Sequence, residues 1–226
     1  MNLRKQNEAG LQQDLIARFK INRKFDIGAQ GTYLERFDLY EDRVGAFVTA
    51  RPLEGWTFEA RYLQGMGNRI LPEKELNLSV YHSFALGLSP FLYYRDARYS
   101  LTHLHAVNVG MEIEKIPNLI IIPSFMGGKA TFKDPAETES VYSFGLRVIW
   151  YKEAHCSFSA FSYKGKEASQ AVIGRSSELV DTLSGGLSAA WYFSPEWRAE
   201  LVFDHTDYDE LQTEFHTTTL NLSRMF

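Results

Sequence analysis

The sequence predicts an all-β fold, a transmembrane antiparallel up-and-down β-barrel of about 12–14 strands. Three observations carry this. Apolar side chains recur with period two along most of the chain. Short turns alternate with longer polar connections. All four tryptophans sit beside the short turns.

The period is read in chain order. It covers Leu15 to Ile21 and Phe25 to Tyr33. Val44, Ala46, Val48 and Ala50 oppose Gly45, Phe47, Thr49 and Arg51. Trp56, Phe58, Ala60 and Tyr62 oppose Thr57, Glu59 and Arg61. Leu76 to Phe84 and Val107 to Ile113 follow, and residues 91–99, 119–130 and 154–163 are strand-like but less regular. Pro123 predicts a bulge or an irregular start in its segment, because it cannot donate to a ladder. Tyr142, Phe144, Leu146, Val148 and Trp150 oppose Ser143, Gly145, Arg147 and Ile149. Leu183, Gly185, Leu187, Ala189 and Trp191 form the next apolar row, then Trp197, Ala199, Leu201 and Phe203, then Leu220 to Phe226. No stretch shows a helical stripe; residues 1–13 come nearest and are polar. They are expected to be a polar N-terminal segment or a partial first strand, with the barrel over 14–226.

Short connections are expected at 22–25, 52–55, 87–90, 115–118, 152–155 and 194–196, and long ones at 64–74, 127–140, 163–181 and 204–215. Bacterial outer-membrane barrels have even strand counts. If the last strand ends in the periplasm, the strand over 14–21 runs downward, and one upward strand is missing. Residues 2–12 or residues upstream would supply it, giving fourteen strands, with twelve as the alternative.

Composition excludes several classes. No apolar run approaches the roughly 18 residues of a membrane helix. A net charge of -4 leaves no footprint for nucleic acid. The single Cys156 excludes a disulfide framework. The N-terminus lacks a signal-peptide core, as in a cytosolic protein or a mature chain.

A barrel this wide cannot be filled by side chains, so its inner face is expected to be polar or small. Arg18, Arg43, Arg51, Glu59, Arg61, Glu112, Glu114, Arg147, Arg198 and Glu200 are the lumen candidates, with Asp14, Lys20, Asp26 and Asp204. They would brace the wall as ion pairs or line a conduit for a polar solute. If Arg51, Arg61, Arg147 and Arg198 converge, they would favour anionic solutes. Trp56, Trp150, Trp191, Tyr192, Trp197 and Phe226 are the candidates for a girdle at the membrane boundary, where an apolar ring with a polar edge is best accommodated. Arg224 would snorkel there.

Ser89-Pro-Phe-Leu-Tyr-Tyr-Arg95, Ser143-Phe-Gly-Leu-Arg147, Tyr163-Lys-Gly-Lys166, Ala190-Trp-Tyr-Phe-Ser194 and Leu220-Asn-Leu-Ser-Arg-Met-Phe226 carry a family likeness. In them the sequence resembles YaiO-like outer-membrane barrels and the C-terminal barrel domains of exopolysaccharide export proteins. The resemblance implies a Gram-negative outer membrane and a removed signal peptide. Its partners would be lipid, lipopolysaccharide, the barrel assembly machinery and a polysaccharide cargo.

The functional expectation is a channel or export pore for a polar solute, with exopolysaccharide first, and neither cofactor nor metal. The alternatives are an outer-membrane protease or acylhydrolase, and a plugged structural or receptor barrel. A protease would use Asp204-His205-Thr206-Asp207, which also reads as the start of an acidic loop. His103 and His105 share a face as two metal ligands do, but the sequence shows no third ligand in register.

Overall fold

The computed structural model describes residues 6–36, 39–68, 71–84, 86–133, 136–152, 155–168, 179–194, 196–208 and 213–225. Among the described residues thirteen strands close into one barrel, each paired with its neighbours in sequence and β13 returning to β1. They are β1 (Gln6–Lys20), β2 (Phe25–Arg36), β3 (Leu39–Ala50), β4 (Trp56–Gly65), β5 (Lys74–His82), β6 (Leu88–Arg98) and β7 (Thr102–Ile116). β8 (Leu119–Phe132), β9 (Thr138–Lys152), β10 (Cys156–Ala168), β11 (Leu179–Tyr192), β12 (Trp197–Tyr208) and β13 (Thr213–Met225) complete it.

The count is odd, and this departs from the expected parity. With an odd number of up-and-down strands the first and last point the same way. β1 and β13 therefore pair in parallel, Gln6 opposite Thr213 through to Arg18 opposite Met225, while every other pair is antiparallel. Residues 6–13 supply no separate upward strand; they continue β1, so the barrel begins well before residue 14.

The turns after odd-numbered strands lie at one end, here the turn end. There β7 and β8 meet through Pro117 and Asn118. Proline supplies the fixed φ of the first turn position, and Asn118 takes the positive φ of 63° at the second. Opposite Pro123 the β7–β8 ladder is interrupted, passing from Gly110–Ser124 to Ile113–Ile121 before a register shift at Ile116. At the other end, the loop end, strands run further than expected. Residues 127–140 are mostly β8 and β9. Alternating polar residues kept their ladder because backbone pairing does not depend on a greasy face.

Alternation assigns every side chain to the outer or inner wall. Over the turn-end part of the barrel the outer wall is apolar: Leu187 is 64% exposed, Trp191 63%, Leu15 61% and Phe203 54%. A soluble sandwich would bury such rows between sheets; here they face outward around a closed cylinder. Inside, aromatic rings lie over glycines of the next strand. An added Cβ at Gly28 would stand 2.2 Å from the Phe47 ring, and at Gly145 2.4 Å from the Tyr163 ring.

Towards the loop end the two walls exchange character. Outside stand Gln64, Lys74, Asp96, His103, His105, Lys129, Ser140, Asp181, Asp207 and Glu214. Inside, Ala97, Leu104, Ala106, Ala130, Phe132 and Val141 form an apolar cluster, packed by Tyr99, Met126 and Leu179. Leu34, Leu63, Leu71 and Val180 are buried as well. The expectation of a polar or small interior therefore holds for one part of the barrel only. The physical reason is the solvent outside. Where the outer wall meets water it must be polar, and the hydrophobic effect drives the apolar alternates inward.

Candidate functional site

The candidate site is the polar inner wall below the apolar cluster. Its side chains are brought together by register. Asp26 opposes Lys20 on β1 and Thr49 on β3, and Thr49 opposes Glu59 on β4, so β1–β4 place their inward residues side by side.

On β1–β4, Arg18 donates to Glu59 at 3.3 Å and lies 3.9 Å from Asp26. Arg51 donates to the same Asp26 carboxylate at 2.8 Å. Arg61 donates to Glu59 and to Gln30, both at 2.7 Å. The Phe47 ring lies between these cations, with the Arg18 and Arg61 guanidinium carbons each 5.0 Å from its centroid. Behind them Asp14 accepts from Thr32 and Gln30.

Nearer the loop end, Glu75 is the hub of a second group. It is 5% exposed and accepts from Arg43, from Arg95 Nε at 3.0 Å and from Asn77 at 3.1 Å. Arg95 also donates to Tyr99, which packs on the apolar cluster. This carboxylate thus ties the charged part of the interior to the greasy part.

Across the barrel, on β9–β12, Arg147 donates to Ser159 at 3.1 Å, Ser159 meets Ser188 at 2.7 Å, and Ser188 donates to Glu200 at 3.3 Å. Arg198 pairs with Glu200 at 2.9 Å and Arg147 with it at 3.6 Å. Glu112 accepts from Tyr81 at 2.9 Å. Asp26 Oδ1, Arg43 Nε and Asn108 Oδ1 are buried without a hydrogen-bond partner among the described residues. A wet interior is the setting in which such atoms are tolerated.

Nine of the ten lumen candidates from the sequence lie on strands and Arg51 directly follows β3; eight of the ten make the ion pairs just given. Arg51, Arg61, Arg147 and Arg198 do not form one cationic set. The first two pair with Asp26 and Glu59, the last two with Glu200. Each set of ion pairs holds one more arginine than carboxylate: Arg18, Arg51 and Arg61 share Asp26 and Glu59, and Arg147 and Arg198 share Glu200. Glu75, Arg95, Gln30 and Phe47 were missed. Their inward alternation was visible, but their partners lie on other strands, and spacing along the chain does not reveal them.

Between these walls lies a 360 Å³ cavity, lined among others by Tyr81, Phe91, Tyr93, Glu112, Arg147 and Tyr163. Two smaller cavities of 190 and 140 Å³ continue it, both touching Tyr93. Charged, hydroxyl and aromatic side chains line the space together, and more of its wall is apolar than polar.

Among the girdle candidates, Trp56, Trp150, Trp191 and Trp197 lie at the turn end and are on the outer wall. Trp56 stacks on His82 with centroids 4.4 Å apart. Tyr192 is a correction: it opposes Arg198, whose guanidinium lies 5.8 Å from its ring, and so belongs to the inner wall. Its neighbour Trp191 takes the outer position, because adjacent residues of a strand cannot share a face. Phe226 lies outside the described residues. Arg224 lies over the Trp197 ring at 5.1 Å and reaches Glu196 at 3.8 Å.

The Asp204–Asp207 run is divided by the wall. Asp204 is on the inner face, opposite Thr217, whereas His205 and Asp207 are on the outer face. Asp209 and Glu210 lie outside the described residues. His103 and His105 do have a third partner. Asp96 of β6 opposes His105 in register, and its two oxygens lie 3.1 Å from His103 Nε2 and 3.0 Å from His105 Nδ1.

A closed barrel with an apolar outer belt, boundary aromatics and a charged inner wall is the architecture of an outer-membrane β-barrel. No protein-family model and no curated protein matches the chain. Among solved structures it is similar to a loop-deletion mutant of OmpT, an outer-membrane protein of Vibrio cholerae. The identity is 10% and the TM-score 0.49, over 83% of this chain and 82% of that one. It is also similar to an anion-selective porin from Comamonas acidovorans, with 7% identity and a TM-score of 0.47 over 84% and 76% of the two chains. Salmonella typhi OmpF in complex with daunomycin gives 11% and 0.45 over 86% and 83%. Likenesses this distant identify no family for the chain.

Proposed function

We propose that the protein is a channel or export pore of a Gram-negative outer membrane, passing a polar solute. The observation that supports this reading is the pairing of opposite walls: lipid-compatible outside, hydrogen-bonding inside, with cavities along the inner face. Mechanism would be passive. Paired charges and hydroxyls replace part of the solute's hydration, and aromatic rings offer flat surfaces beside them. The apolar cluster at the loop end would act as the barrier, since an apolar constriction excludes water until its walls part. Exopolysaccharide is the cargo we favour, on the resemblance to YaiO-like and export barrels and on the hydrogen-bonding and aromatic side chains that line the cavity. The outer belt would be covered by lipid and lipopolysaccharide, after insertion by the barrel assembly machinery.

Planar-bilayer recording tests the reading. Purified folded barrel should give single-channel current, and Phe132→Ala, which opens the apolar cluster, should raise it. A folded preparation that stays silent in both forms points to a plugged structural or receptor barrel instead.

A further inference from the structure

The outer wall near the loop end carries a group of side chains that the pore reading does not use. His205 and Asp207 project outward from β12, and Glu214 and His216 outward from β13. His205 directly opposes His216, and their rings stack with centroids 4.7 Å apart. Asp207 directly opposes Glu214, so two carboxylates stand across one ladder beside the two imidazoles. Nδ1 of His205 is buried and has no hydrogen-bond partner among the described residues. One ligand atom from each of His205, Glu214 and His216 lies within 4.8 Å of the others.

We propose that His205, Glu214 and His216 bind a divalent transition-metal ion of the zinc type on the outer surface of the barrel, with Asp207 adding negative charge beside it. Ligands held about 2.0–2.2 Å from one zinc stand roughly 3.4 Å apart, so only small side-chain movements separate the observed group from a closed site. Two neutral imidazoles and two carboxylates carry a formal charge of two minus, which favours a dication and repels phosphate. The imidazoles select against calcium and magnesium, which take oxygen ligands. The site lies beyond Phe203 and Thr218, at the level where the outer wall has turned from apolar to polar, so water and ions reach it.

A second histidine–carboxylate group lies on β6 and β7. Asp96 already bonds both His103 and His105, and Arg98 lies 3.9 Å from the same carboxylate. That group is internally satisfied and has a cation beside it.

The test is calorimetric titration of Zn²⁺ into the full barrel folded in detergent micelles. Wild type should bind one ion. His216→Ala and Glu214→Gln should weaken that binding at least about tenfold, whereas His103→Ala should leave it unchanged. A second measurement needs no variant. Zn²⁺ should protect His205 and His216, but not His103 and His105, from diethyl pyrocarbonate, as read by peptide mass spectrometry. Absence of Zn²⁺ binding, binding unaltered by both substitutions, equal protection of the two pairs, or Ca²⁺ bound in preference to Zn²⁺ would each overturn the proposal.

Discussion

The barrel is built by two opposite rules at its two ends. Near the turns, Leu187 and Phe203 look outward and Arg61, Ser159 and Glu200 look inward. Near the loops, Asp96, Lys129 and Ser140 look outward and Ala97, Ala130 and Val141 look inward. The backbone is the same cylinder throughout. What changes is the medium around it, and the sequence answers with an inverted alternation. The difference teaches that strand periodicity reports contrast between two faces, and that the surroundings decide which face is which.

The largest effect is expected at the junction of the two regimes. Glu75→Ala leaves Arg43 and Arg95 without their shared carboxylate inside the barrel and should cost about 4 kcal/mol, read by urea unfolding in micelles. A loss under 1 kcal/mol would mean that water already screens the group. A charge introduced on the outer wall at two heights then tests the inversion itself. Leu187→Lys in the apolar belt should cost about 3 kcal/mol in a bilayer. Ser140→Glu in the polar region should change stability by no more than about 0.5 kcal/mol. Equal costs at both positions would show that no medium boundary runs between them.

The sequence made the strands legible because alternation is local. Trp56, Trp150, Trp191 and Trp197 could be placed at one end by counting turns alone. The assignment of Tyr192 failed for a reason equally local: it was grouped with Trp191 by adjacency, although neighbours on a strand part company. The apolar cluster was not legible. Leu104 and Phe132 fall in the opposite phase to Val109 and Phe125 and so occupy the other wall, and a reading that follows one apolar phase along each strand passes over the height at which the phase changes. The Glu75 hub and the Asp96 partner of His105 were hidden for a different cause. Both depend on registers between strands, which sequence spacing along one strand does not fix.

The parallel pairing of β1 with β13 has a mechanical consequence. Parallel ladders hold slightly less tightly per residue than antiparallel ones, so twelve joins of the cylinder are alike and the thirteenth differs. Force or heat applied to the folded wall should therefore split it along a single known line, and the sheet would peel flat from there.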